Sequence, residues 1–189
     1  MKIERTEEKK RLRAEIRKAE RELPGEEKTG SDREIINNII STGEYISAGV
    51  IFTFVGTERE INTRPLIEKA LSDGKRVCVP LCTGSGIMEA REIKSLGELR
   101  PGSYGIFEPE ASSEKIEPDE INLAIVPCVS CSREGKRLGQ GGGYYDRFME
   151  KYKGPAAVIC REALMRDEIP TEEHDYTFSL VITDMAVYR

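Results

Sequence analysis

Apolar positions recur along the chain at two spacings, one helical and one of strands. From Glu4 to Leu23 the apolar residues Leu12, Ile16, Ala19 and Leu23 fall on one narrow stripe among charges. That is an amphipathic helix packed onto the body, and Pro24-Gly25 stops it. Ser31-Asp32-Arg33-Glu34 reads as a capping box opening a second helix, with Ile35, Ile36, Ile39 and Ile40 as its buried face and Gly43 at its close. Val50 to Val55 is a β-branched and aromatic run, a strand followed by the loop Gly56-Thr57-Glu58-Arg59-Glu60. Thr63 caps a third helix with Pro65 in its first turn and Gly74 at its end. Strands follow over Arg76–Pro80 and over Ile87–Ile93, where Met88, Ala90 and Glu92 alternate against Glu89 and Arg91. Pro101 to Pro109 reads as a loop and 110–120 as an acidic surface connection. The pattern then gives a strand over 121–127, a helix from Tyr144 to Tyr152 ended by Gly154, a strand over 155–160, a short helix over 162–167 and a last strand over 178–183. Strands alternating with helices predict an α/β fold, with a largely parallel sheet covered on both faces. A length of 189 residues suits a single domain, 1–189.

One stretch breaks both periods. In Arg137-Leu138-Gly139-Gln140-Gly141-Gly142-Gly143-Tyr144-Tyr145-Asp146-Arg147-Phe148, four glycines fall within five residues, between a strand and a helix. Glycines there let the backbone adopt positive φ and let a ligand approach bare N–H groups. Successive N–H groups with a helix N-terminus behind them form an anion site, and phosphate is its natural occupant. Asp146, in the first helical turn, can cap free N–H groups or hold a magnesium ion beside that phosphate. A flexible linker would be rich in serine and poor in aromatics, so the two tyrosines and the Asp-Arg pair argue against one. No Gly-Lys-Ser/Thr ends the run, and Tyr144 stands where a dinucleotide fingerprint has its third glycine.

Other candidates are weaker on sequence alone. Glu60 lies in the loop after a strand, where open α/β sheets bind ligands, and reads equally as a solvated acid. Tyr104 can stack on a flat ligand or pin its loop. The basic residues of the first helix are interleaved with acids, and spacing alone favours a solvated face of ion pairs. Lys9 and Arg13, four apart, nevertheless share one face and can grip an anion together. A lone His174-Asp175 in a loop reads as a turn or cap rather than a dyad. Cys128 and Cys131 have metal or redox spacing, and Cys78 and Cys82 would be needed to complete a four-thiolate site. Cys78 and Cys160 belong to strand-like runs, so small hydrophobes are the better reading. A net charge of −5 argues against a nucleic-acid partner, and neither a membrane span nor a signal peptide is visible. An odd count of five cysteines fits reduced thiols in the cytoplasm.

With the glycine run, the Lys9–Arg13 face and the Glu60 loop in view, the chain resembles the 5-formyltetrahydrofolate cyclo-ligase (methenyltetrahydrofolate synthetase) family over nearly its whole length. Segment 137–148 carries the most specific part of that resemblance. Glu60-Ile61-Asn62-Thr63, Asp73 to Val77, the 101–109 loop and His174-Asp175 are similar in place and type. The resemblance implies a three-layer α/β/α Rossmann-like sandwich. It also implies an ATP- and Mg²⁺-dependent closure of 5-formyltetrahydrofolate to 5,10-methenyltetrahydrofolate, releasing ADP and phosphate. Phosphorylation of the formyl oxygen would precede attack by N10. By the same resemblance Lys9, Arg13, Arg91, Arg137 and the segment Leu138, Gly139, Gln140, Gly141, Gly142, Gly143, Tyr144 and Tyr145 meet ATP. Val55, Glu60, Tyr104 and Tyr144, with residues 140–143, meet the reduced folate, and Asp146 and Asp175 hold magnesium. No protein nucleophile is expected, and a monomer is expected. Cys131-Ser132 stands where a Phe-Asp pair is common in the family, and Ala163 where many members have Gln. Gln140 and Gly142 replace Arg or Lys of some members. A related ATP-binding protein with another small substrate, a binding module without turnover and a thiol metal protein are the alternatives.

Overall fold

The computed structural model describes residues 2–102, 105–172 and 175–189. The elements in chain order are α1 (Lys2–Glu22), α2 (Gly25–Ser41), α3 (Gly43–Ser47), β1 (Val50–Phe52), α4 (Arg64–Ser72), β2 (Arg76–Gly84), β3 (Ile87–Ile93), β4 (Arg100–Pro101), β5 (Phe107–Glu108), β6 (Lys115–Ile116), β7 (Leu123–Pro127), β8 (Ser130–Cys131), β9 (Arg137–Leu138), α5 (Tyr144–Lys151), β10 (Ala156–Ile159), β11 (Leu180–Ile182) and β12 (Val187–Tyr188). Among the described residues, eight strands form one sheet in the order β12-β11-β10-β7-β1-β2-β3-β6. The five central strands, from β11 to β2, run parallel, and antiparallel strands close both edges. This is the predicted α/β/α sandwich with a mostly parallel sheet.

Strand alternation divides the core into two layers. On β7, Leu123 and Ile125 point into the layer under α2, α3 and α4, and Ala124 and Val126 into the layer under α1 and α5. Fully buried strands carry apolar side chains on both faces, so their sequence is a continuous run rather than an alternation. On the α5 side Phe52 stacks on Phe148 with ring centroids 4.5 Å apart, which fixes the helix against the sheet centre.

Several sequence expectations need correction. The predicted capping box at Ser31 is not a helix start, because α2 begins at Gly25 and carries Ser31 and Asp32 in its middle. Their side chains have tertiary partners instead. Ser31 Oγ bonds to Asp184 at 3.2 Å, and Asp32 accepts from Arg161 Nε at 2.8 Å and from the Asn62 N–H at 3.0 Å. Thr63 occupies the N-cap position of α4, but its hydroxyl does not cap the helix. It donates to Phe54 O and accepts from Gly56 N–H, tying the loop after β1. That loop needs glycine, since a Cβ at Gly56 would lie 2.0 Å from Ile61 O. The first strand is shorter than predicted because Phe54 and Val55 leave the sheet. The second is longer and turns through Gly86, at φ 70°, into β3. The connection over 110–120 contains the edge strand β6, and β12 lies beyond the last predicted strand. The helix expected over 162–167 is a single 3₁₀ turn, Glu162–Leu164.

The Asp32–Arg161 ion pair is buried, at 2.7 Å, with side chains 12% and 4% exposed. Removing one partner of such a pair strands the other charge. Asp32→Ala is expected to lower stability by about 3–5 kcal/mol, and adding Arg161→Met to restore most of it. Urea unfolding of the single and double variants measures both, and a loss in Asp32→Ala that the second change does not recover would contradict this account.

Candidate functional site

The sheet itself creates the site. From β1 the chain crosses through α4 to β2 on one side, then returns to β7 on the other side of β1. The strand order therefore reverses between β1 and β7, and open α/β sheets bind ligands outside the carboxyl ends at that point. A cavity of about 420 Å³ lies there. Phe54, Val55 and Glu60 from beyond β1, Pro127 and Cys128 from the end of β7, and Pro80 and Cys82 of β2 line it. Gly139 to Asp146 form its remaining wall with Arg137, and Ile106, Phe107 and Glu108 stand at the β5 side. A second cavity, about 310 Å³, shares Phe54, Glu60, Pro127, Cys128 and Gln140 with the first, and adds Arg17, Arg59 and Arg161.

The glycine run has the backbone that its composition predicts. Gly141 at φ 99° and Gly143 at φ 69° are left-handed, and Gly143 is the N-cap residue of α5. The N–H groups of Gly141, Gly142 and Gly143 have no acceptor among the described residues. They lie at the positive end of α5, where an anion is favoured. Arg147 holds the turn from below, donating to Gly142 O at 2.5 Å and to Gly86 O at 2.7 Å.

Two basic residues of α1 close on this loop and a third pairs with acids beside Arg13, so a merely solvated helix face is not what the structure contains. Arg13 Nε donates to Gly139 O at 2.7 Å, with its guanidinium against Gly141. Arg17 donates to Gln140 Oε1 at 2.7 Å. Lys9 bonds Asp175 Oδ2 at 2.6 Å and Glu172 Oε2 at 3.3 Å. Burial and then the charge of Arg17 draw the Arg13 pKa below its usual value, with Arg137 adding to that and Asp175 opposing it. Positive charge is thus concentrated beside the bare N–H groups.

Asp146 is not a helix cap. Its Oδ1 accepts from the buried Arg137 at 2.8 Å, while Arg137 also donates to Pro127 O at 3.1 Å and lies over the Tyr145 ring. Asp146 lines the first cavity, and its second carboxylate oxygen has no protein partner among the described residues. Glu60 Oε2 accepts from the Thr57 N–H and hydroxyl, which fixes its loop, and Glu60 lines both cavities. Burial, helped by the Glu60 charge, pushes the Tyr145 hydroxyl pKa far up, so it stays a neutral phenol.

The structure thus brings together Arg13, Val55, Glu60, Arg137, Gly139 to Tyr145 and Asp146, with Leu138 buried behind them. Lys9 and Asp175 join through one ion pair on the α1 side. Arg91 is not part of the group. It bonds Ala111 O, Ser113 O and Glu89 at the sheet edge, on the face opposite Met88. Tyr104 and His174 lie outside the described residues. Sequence reasoning did not single out Arg17, Arg147 or Phe54. Arg17 continues the spacing of four from Lys9 and Arg13, which is the signal that marks it, whereas the partners of Arg147 and Phe54 are remote in sequence.

Glycine is required at Gly143 and dispensable at Gly30. A Cβ at Gly143 would meet Arg147 Nη1 at 2.7 Å in a left-handed backbone, while at Gly30, inside α2, it meets nothing within 4 Å. Gly143→Ala is expected to destabilise by about 1–2 kcal/mol, and Gly30→Ala to stabilise by about 0.5–1 kcal/mol. Opposite shifts in thermal unfolding midpoint check the pair, and equal shifts would contradict it.

Known proteins share this architecture. The model of the 5-formyltetrahydrofolate cyclo-ligase family matches residues 5–184. A Schizosaccharomyces pombe protein named "Probable 5-formyltetrahydrofolate cyclo-ligase" is 35% identical over 148 residues, covering 70% of this chain and 72% of that one. The 5-formyltetrahydrofolate cyclo-ligase of Escherichia coli K12 is 26% identical over 92% of this chain and 99% of its own. The NMR structure of Aquifex aeolicus 5,10-methenyltetrahydrofolate synthetase superposes with a TM-score of 0.86 at 26% identity, covering 96% of this chain and 92% of that one. Among the described residues no helix is long and apolar enough to cross a membrane. With its switch-point cavity, glycine loop and match across residues 5–184, the chain belongs to the 5-formyltetrahydrofolate cyclo-ligase family.

Proposed function

We propose that this chain, as one domain over 1–189, closes 5-formyltetrahydrofolate to 5,10-methenyltetrahydrofolate with ATP and Mg²⁺, releasing ADP and phosphate. The observation that carries the reading is a glycine loop with bare N–H groups, walled by Arg13 and Arg17 on one side and opening onto the switch-point cavity on the other. The phosphates of ATP would lie on Gly141, Gly142 and Gly143, and the apolar slot between Phe54, Val55, Met88 and Tyr144 suits a flat pterin. Glu60, with one carboxylate oxygen held by Thr57, can accept from pterin N–H groups with the other.

A formyl amide oxygen is a poor leaving group. Transfer of the γ-phosphoryl group to that oxygen breaks the bond to ADP and turns the oxygen into part of a phosphate. N10 then attacks the formyl carbon, the carbon–oxygen bond breaks, and phosphate leaves with the oxygen. Such transfers need positioning and charge neutralisation more than a protein nucleophile. The Arg137–Asp146 and Lys9–Asp175 pairs suit that task, since each holds a cation that can turn to phosphate and an acid that can turn to metal. Asp146, with one free oxygen beside the phosphate loop, fits a hard oxygen-seeking ion, and Asp175 supplies a second carboxylate near Arg13. Bound there, Mg²⁺ would neutralise charge on the phosphates.

The direct test follows the rise of methenyl absorbance with 5-formyltetrahydrofolate, ATP and Mg²⁺, with ADP and phosphate formed in equal amounts. ATP-independent cyclisation or no product would overturn the proposal. Lys9→Ala and Arg13→Ala are expected to raise the KM for ATP more than that for the folate, whereas a surface face of ion pairs, worth about 0.2–0.5 kcal/mol per pair, would leave both unchanged. Asp146→Asn should raise the Mg²⁺ requirement by at least about 10- to 100-fold. It should also lower stability, because Arg137, 6% exposed, then lacks a countercharge. Near wild-type turnover at limiting Mg²⁺ would remove Asp146 from the metal site.

A further inference from the structure

The cysteine cluster is the largest group of soft ligands that the proposed chemistry leaves unused. Cys128 follows β7, Cys131 is in β8 and Cys160 follows β10, so three neighbouring backbone segments present thiols to one point. Their sulfur atoms all lie within 4.8 Å of one another. The sequence pairs Cys128 and Cys131 by spacing, but the third member is Cys160, while Cys78 is buried in β2 among the core residues. Cys131 and Cys160 are buried, and Cys128 is half-buried and lines both cavities.

We propose that Cys128, Cys131 and Cys160 form a binding site for a thiophilic d¹⁰ cation such as Zn²⁺, with its fourth coordination position open to the second cavity. Zinc–thiolate bonds of about 2.3 Å arranged tetrahedrally set sulfur atoms about 3.8 Å apart, so the cluster closes by about 1 Å or less. Rotation about Cα–Cβ achieves that without moving the strands. In the reduced protein Cys128 Sγ lies 3.3 Å from Ile159 O and Cys160 Sγ 3.4 Å from Arg161 O. On binding, three S–H bonds break, three zinc–sulfur bonds form and three protons pass to solvent. The site then carries one net negative charge beside the buried Arg161. Three soft ligands with no fourth among the described residues also distinguish this from a closed structural zinc site. The bound ion would occupy the wall that separates the two cavities, beside rather than within the phosphate loop.

The test is titration of the fully reduced protein with Zn²⁺ alone, against a chromophoric chelator, with proton release recorded. One tightly bound Zn²⁺ per chain with proton release is expected, and Cys131→Ala, Cys160→Ala and Cys128→Ser should each weaken it by more than the 10- to 100-fold typical of an outer-shell change. Cys78→Ser and Cys82→Ser should leave it unchanged. Should the buried variants fail to fold, the wild-type protein decides the matter: Zn²⁺ should slow alkylation of Cys128 and leave that of Cys82 unaltered. No Zn²⁺ binding by the reduced wild type, binding unaffected in Cys128→Ser, or equal protection of Cys82 would each overturn the proposal.

Discussion

The structure depends on one clasp, the row Lys9, Arg13 and Arg17 of α1 laid across the glycine loop and the acids Glu172 and Asp175. A loop made of Gly139, Gln140, Gly141, Gly142 and Gly143 has no side-chain packing of its own and loses more conformational entropy on ordering than any other composition. Its shape must be imposed from outside. Arg13 does so through the Gly139 carbonyl, Arg17 through Gln140 and Arg147 through the Gly142 carbonyl. All three contacts engage oxygens or side chains and leave the N–H groups of Gly141, Gly142 and Gly143 without an acceptor among the described residues. The loop is held by its acceptors so that its donors remain available.

The clasp also explains why α1, with a narrow apolar stripe, packs where it does. Ile16 is buried in the layer shared with α5, and the basic row beside it reaches the carboxyl ends of the strands. That places several guanidinium groups together in a chain whose net charge is −5. Arginines so close repel one another, and Asp175 and Asp146 supply a counterbalance, paired with Lys9 and Arg137. In the proposed reaction those acids turn to metal as phosphate takes over the cations.

Much of this was legible in the sequence. The apolar runs at β1, β2, β7 and β10 were unambiguous because buried parallel strands have no polar face to interrupt them, while the antiparallel β3 showed itself by alternation. The glycine loop was legible because four glycines before an aromatic pair fit neither period and not the composition of a flexible linker. What stayed hidden shares a different physical cause: contact between residues distant in the chain. Ser31 to Glu34 has the form of a capping box, yet Asp32 pairs with Arg161, 129 positions away. Arg13 reads as one charge among many until Gly139, 126 positions later, is placed against it. Cys160 joins Cys128 only because β10 lies beside β7, and β6 and β12 are too short to carry a period. Arg91 marks the converse case, a basic residue whose partners are Glu89 and two backbone carbonyls at the sheet edge.

The account's central claim is that the site activates the substrate's own oxygen by phosphoryl transfer, with the protein supplying charge and position. Turnover of substrate carrying ¹⁸O in the formyl group tests it most directly, with the label traced by mass spectrometry of the products. The label should appear in inorganic phosphate, one atom per methenyl product formed. Label found in water, with unlabelled phosphate, would contradict the claim.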